Sequence, residues 1–410
     1  MQFRHEILDN GLEIVAEINP DAFSQSLGYF VRTGSRDEVP EIAGVSHFLE
    51  HMVFKGTPTR SSLDVNRMLD DLGSQSNAYT SEEQTVYYMS VLPEHQLSAL
   101  DLLTDLMRPT LRREDFDTEK QVILEEIAMY DDQPPYGAME RAMEEYFGDH
   151  PLATRVLGTR QTVSDLTAEA MRAYHEQRYA PNNLCLVAAG AVDFDALVKE
   201  TAVRTRLWTS VQTHRKRQPP VLRSSSVELV HPPATQQYTL EFSPGPGIQD
   251  PQRYVNRILA SILGDDSGSR LFWELTDKGL ADLAVTYTSE FEDCGIFGIY
   301  LACAPEQQNE NWERIQFVLA DAKANPITER ELELAKNKVR SGMILASERP
   351  SNRLFSVGNG WLTRRKYESV REATENYQRV SLEQVQSAFE QLAQRPRVRV
   401  SVGPESGNTH

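Results

Sequence analysis

"SQSNAYTSEEQTVYYMSVL", residues 74–92, decides the fold. Two strand-like runs, 74–83 and 85–92, follow each other with no room for a crossover, so they read as an antiparallel pair. Helical periodicity flanks them. "SLDVNRMLDDLG" (62–73) precedes the pair, and "PEHQLSALDLLTDLM" (93–107) and "REDFDTEKQVILEEIAMY" (113–130) follow it. Upstream lie a strand, "SLGYFVRTG" (26–34), and a helix around 43–54. "HEILDNGLEIVAEI" (5–18) reads as two short strands about an Asn10-Gly11 turn. "AEAMRAYHEQRY" (168–179) and the strand "NLCLVAAGAV" (183–192) close the series.

The same order returns after roughly 210 residues, the mark of an internal duplication. "QQYTLEFSP" is the strand, and "DPQRYVNRILASILG" and "GSRLFWELTDKG" are the helices. "LAVTYTSEF" and "GIFGIYLACA" are the strand pair, and "ERELELAKNKVRSGMILASE", "LEQVQSAFEQLAQ" and "RVRVSVG" complete the unit. "SVQTHRKRQPPVLRSSS" (210–226), polar and proline-containing, reads as a solvated connector. The expectation is an α+β fold of two tandem homologous domains, 1–208 and 225–410, with a linker at 209–224. Each would be an antiparallel sheet covered by helices on one face.

Composition narrows the function. The 410 residues carry a net charge of −18, which disfavours nucleic acid and anionic membranes as partners and favours basic ligands. No run approaches the ~20 apolar residues of a membrane span. Three cysteines, Cys185, Cys294 and Cys303, lack metal-type spacing and point to a reducing compartment. With a strand rather than a leader at the N-terminus, a cytoplasmic location is expected.

Chemistry gathers at "SHFLEHMVFKG" (46–56). His47 and His51 stand four apart, one helical turn, so both imidazoles can reach one ion. Glu50, directly before His51, lies on the same side, placed to take a proton from a metal-bound water. A hydrolytic zinc site needs a third ligand. On the helix 113–130, Glu119, Val122, Ile123, Glu126 and Tyr130 form one stripe, with Glu125 turned about 100° away. A carboxylate on an apolar stripe must be paired or bind metal. Glu126 is therefore read as the ligand and Glu119 as the partner orienting His51 or Glu126. In the second copy Arg257 and Ser261 stand where the histidines were.

H-x-x-E-H is the inverted zinc motif, and the whole chain resembles the pitrilysin family, in particular its short two-domain members related to the mitochondrial processing peptidase. "GSRDE", "GVSHFLEHMVFKGT", "SNAYTSEEQTVYY", "VILEEIAMYDDQP", "PLATRVLGT" and "YAPNNLCLVAAGAVD" carry the likeness in the first half. "GSRLFWEL" and "DCGIFGIYLA" carry it in the second. The resemblance implies a zinc endopeptidase with one Zn²⁺ per chain, His47, His51 and Glu126 as ligands, Glu50 as general base and Glu119 as an outer acid. It also implies that an extended peptide adds as a strand near Asn77-Ala78-Tyr79, inside a chamber formed by two chains. Active relatives have an arginine and a tyrosine after "SRLF". Here Thr276 and Asp282 occupy those places; Arg270 is a candidate substitute, but it fits the helix-packing "SRLF" segment instead. That departure leaves open a homodimer, a heterodimer with a related subunit lacking the zinc motif, and a non-proteolytic scaffold subunit.

Overall fold

The computed structural model describes residues 1–215, 217–320 and 324–404. Eleven strands form two sheets among the described residues. The first contains β1 (Gln2–Ile7), β2 (Glu13–Ile18), β3 (Gln25–Val31), β4 (Gln75–Thr80), β5 (Thr85–Val91) and β6 (Leu184–Gly190), in the order β1-β2-β6-β3-β5-β4. The second contains β7 (Ser225–Val230), β8 (Gln237–Gly245), β9 (Leu283–Glu290), β10 (Gly295–Cys303) and β11 (Val398–Gly403), in the order β7-β11-β8-β10-β9. The pair that opened the reading is antiparallel, with Asn77 opposite Tyr88 and Thr80 opposite Thr85. This is an α+β fold built twice. Each sheet departs from the purely antiparallel expectation by one parallel pair, β2 with β6 and β7 with β11.

The chain divides into two compact units that do not follow its halves. One comprises Met1–Ala128, Thr154–Lys216 and Ala346–Glu368, the other Met129–Ala153, Arg217–Leu345 and Ser369–His410. Each unit thus takes a segment from the opposite copy, and the segment covers the second face of its sheet. In unit 1, helix Pro350–Arg364 lays Leu354, Val357 and Leu362 on Val15, Phe30, Val86, Cys185, Val187 and Ala189. In unit 2, helix Pro134–Phe147 lays Ala138, Ala142, Tyr146 and Phe147 on Leu240, Phe242, Ile296, Val398 and Val400. The expectation of helices on one face is corrected accordingly. The cause is local: every residue of β3 and β6 is buried, so both sheet faces are apolar and both need cover.

Polar anchors fix the added helix in unit 1. Arg353 grips Glu17 through two bonds of 2.6 Å, and Tyr367 donates to the same carboxylate at 2.6 Å. Gly358 sits over Phe30, where a Cβ would come within 2.4 Å of the ring.

Within the connector, one residue departs from the solvated reading. The Arg215 side chain is 5 % exposed and forms a bidentate pair with Asp37 at 3.0 and 2.7 Å; Lys216 of the same run lies outside the described residues. Asp37 belongs to "GSRDE", so a residue expected in water instead locks the loop that precedes the histidine helix. All three cysteines are free thiols. Among the described residues no helix is long and apolar enough to cross a membrane.

Candidate metal centre

The histidine helix runs Val45–Val53. Gly44 opens it with φ +94°, and a Cβ there would lie 2.5 Å from the Leu157 carbonyl, so only glycine fits. The exposed amides of the first turn are satisfied from outside. Glu38 accepts from Gly44 N and Ser46 N, both at 2.7 Å. Val45, Phe48, Leu49, Met52 and Val53 enter the core of unit 1, and the Phe48 ring stacks on Phe116 at 4.6 Å. Phe116 belongs to the glutamate helix, Arg113–Asp131, so this contact sets two helices side by side.

On the glutamate helix the buried positions are Phe116, Glu119, Ile123 and Ile127. Glu125 is exposed, as its phase requires. Val122 is not part of the buried stripe. It lies at the rim of that face and is 45 % exposed. Tyr130 packs edge-on against Tyr136 at 4.8 Å in unit 2.

His47, His51 and Glu126 converge: one ligand atom from each lies within 4.8 Å of the others. Both Nε2 atoms stand 3.7 Å from the same Glu126 oxygen. That is too long for a hydrogen bond and suits ligands sharing one ion at about 2.0–2.2 Å each. Protonation states agree. Burial, reinforced by His51, lowers His47 to about 3, so its nitrogen keeps a lone pair at neutral pH. His51 Nδ1 lies 2.9 Å from Glu119 Oε1; a carboxylate accepts, so Nδ1 carries the proton and Nε2 is left to coordinate. Two imidazoles and one carboxylate form a hydrolytic zinc donor set, and the residues fit the ion.

Around these three lies a ring of supports. The second Glu119 oxygen receives Lys55 Nζ at 2.5 Å. Burial alone would raise Glu119, but the bonds from Lys55 and His51 outweigh it and hold the carboxyl below its usual range. Glu50 Oε2 accepts from Thr80 Oγ1 at 2.6 Å. Burial holds Glu50 above the usual range, with Thr80 and His51 pulling the other way. Glu126 is likewise raised by burial, opposed by His51.

Asn77, Ala78 and Tyr79 fall on β4, at the end of the strand order of its sheet. Their side chains alternate, as strand geometry requires. Ala78 packs into the core on the histidine-helix side, while Tyr79 packs against Phe355 on the other face and receives Gln84 Nε2 at 2.8 Å. Sequence reasoning missed Lys55 and Thr80. Lys55 is one turn beyond His51 and Thr80 shares a strand face with Ala78, but neither position announces its distant carboxylate partner in sequence.

Arg270 proves committed elsewhere. It pairs with Glu331 at 2.7 and 3.1 Å and donates to the carbonyls of Asn325 and Pro326. The Asp282 carboxylate accepts from Gln236 at 2.8 Å.

An inverted His-Glu-His constellation on a duplicated α+β fold defines a class of metallopeptidase, and comparison with known proteins agrees. Residues 13–160 match the family model "Insulinase (Peptidase family M16)", and residues 165–339 match "Peptidase M16 inactive domain". An uncharacterized zinc protease of Mycobacterium tuberculosis is 34 % identical over 98 % of this chain and 93 % of its own length. Among solved structures, a protease from Helicobacter pylori superposes with a TM-score of 0.90 at 20 % identity, covering 98 % of this chain and 100 % of that one. A chain of Complex III2 from Candida albicans shares the fold with a TM-score of 0.85 at 19 % identity, over 98 % of this chain and 95 % of its own. The chain belongs to peptidase family M16, the pitrilysin-type metallopeptidases.

Proposed function

We propose that this protein is a zinc-dependent endopeptidase acting on extended or unfolded peptides. The observation that carries the reading is the convergence of His47, His51 and Glu126, with Glu50 alongside. When bound, zinc supplies Lewis acidity toward water and the scissile carbonyl. His47 and His51 hold the ion through Nε2, and Glu126 through a carboxylate oxygen. Glu119 keeps His51 in the coordinating tautomer, and Lys55 keeps Glu119 ionised. Glu50 takes the proton of the attacking water and passes it to the departing amine. β4 ends the strand order of its sheet among the described residues, so peptide backbone adds at Asn77–Tyr79 without a demand for sequence, exchanging the bond of Ala78 N–H to Asn77 Oδ1 (2.9 Å). The net charge of −18 draws basic peptides to it. In this reading the chamber is completed by a second chain, and the protein works in the cytoplasm.

Glu50→Gln provides the test. It should keep one zinc per chain and lower peptide cleavage by about 10²–10⁴-fold. Undiminished cleavage with zinc retained sinks the mechanism.

Thr276 and Asp282, where active relatives carry arginine and tyrosine, favour a second reading. Arg270 is engaged with Glu331, so it leaves no guanidinium for that role. A related subunit without the zinc motif would then supply both groups, and the chain alone would be nearly inert. Strong cleavage by the isolated chain eliminates that heterodimer. Zinc well below one per two chains, with no uptake on addition, would instead identify a scaffold subunit.

A further inference from the structure

The Thr80 hydroxyl holds Glu50 from an unusual place: the last residue of the strand at whose edge the peptide is expected to add. Its single proton has one good acceptor. Thr85 Oγ1 is 3.5 Å away, whereas Glu50 Oε2 is at 2.6 Å. Thr85 spends its own proton on the Thr33 carbonyl at 2.9 Å, so it cannot donate back to Thr80. The Thr80 proton therefore goes to one oxygen of Glu50, and Thr85 offers no competing donor. Backbone pairing of Thr80 with Thr85 fixes the strand that presents it.

We propose that Thr80 is a positioning residue: it ties Oε2 of Glu50, leaves Oε1 as the oxygen that takes the water's proton, and couples that choice to the strand carrying the substrate. The proposal rests on the peptidase reading above. A carboxylate free to rotate would offer either oxygen in several orientations, and small misplacements of a reacting group have large effects on rate. Held by one charge-assisted hydrogen bond, only one oxygen is presented. Thr80 acts through Glu50.

Thr80→Val keeps the β-branched shape and strand pairing and removes only the hydroxyl; Thr80→Ser restores it. The valine variant is expected to lose about 10- to 100-fold in kcat, with KM unchanged. Its zinc content, and the chelator concentration that strips half the metal, should match the parent chain. The serine variant should recover most of the rate. Normal kcat in Thr80→Val, equal impairment in Thr80→Ser, or loss of zinc in Thr80→Val each overturns the proposal. Glu50→Gln run alongside separates the levels. If it stays active, the peptidase reading fails and takes Thr80 with it; if it is inactive while Thr80→Val is normal, only the role of Thr80 falls.

Discussion

Helix Val45–Val53 and its counterpart Gln252–Gly264 open the same series of elements in the two copies, yet they hold different chemistry. The first carries His47 and His51. The second carries Arg257, whose charge is favoured by the nearby Tyr377 phenol, and Ser261, which donates to Asp265 at 2.9 Å. The partner helices diverge in step. Arg113–Asp131 and Glu329–Ser347 are both 19 residues long. Counted from their first residues, Ala335 stands where Glu119 is and Gly342 where Glu126 is. All four polar positions of the candidate metal centre are thus replaced, and the second unit still closes its core around Leu332, Ala335, Ile258 and Leu259. The fold does not require the histidines or the carboxylates. Burying such groups is unfavourable unless they are paired or coordinate an ion, so their presence in unit 1 answers to function.

The contrast should break most visibly at the ligands. His51→Ala is expected to reduce zinc from one ion per chain to background and to abolish cleavage. Ser261→Ala should leave zinc and cleavage alone and lower stability by no more than about 1 kcal/mol. Metal analysis beside denaturant unfolding checks both arms. Zinc retained in His51→Ala would dissolve the distinction between the copies.

Acid should separate the units next. His175, buried in helix Ala168–Arg178, has Phe389 at the equal position of helix Leu382–Leu392. Burial, aided by Arg108, lowers His175 to about 4. The unfolded chain takes up this proton near pH 6.5, the folded chain only near 4. The contribution is therefore complete above about pH 6.5 and is lost progressively as pH falls toward 4, by about 3 kcal/mol in all. In metal-free protein, His175→Phe should flatten that part of the stability profile. An unchanged slope would mean that His175 does not remain neutral in the folded core.

Smaller effects sharpen the picture further. Glu119→Gln should weaken zinc binding by about 10–100-fold, and Lys55→Met should move it the same way by less, as read by chelator competition. Wild-type affinity in both would detach this support from the metal. At the far end, Gly342→Ala in the second copy should stabilise the chain by about 0.5–1 kcal/mol. A Cβ there meets nothing within 4 Å, and the shift would appear in the urea midpoint.

Much of the site could be read along the chain because its parts are local. The spacing of His47 and His51 fixes a shared face by helical geometry alone. Glu126 stood out as a carboxylate on an otherwise apolar phase, and Glu125 was rightly assigned to water. Val122 shows the limit: periodicity gives a face but not its width, which depends on what packs against it. Lys55 and Thr80 show another, since a lysine or threonine has no local signature for a partner more than 25 residues away.

The amino-acid sequence by itself determined the elements, their duplication and the one-turn spacing of His47 and His51 with Glu50 beside them. Each of these follows from conformational preference and periodicity within one segment. Tertiary structure alone decided that segments 129–153 and 346–368 serve the unit opposite their own copy, that the Arg215 side chain is buried on Asp37, and that one parallel pair enters each sheet. The physical reason is that an apolar face or a charge declares its need for a partner. Which partner meets that need is settled by chain segments far away, competing for the same surface.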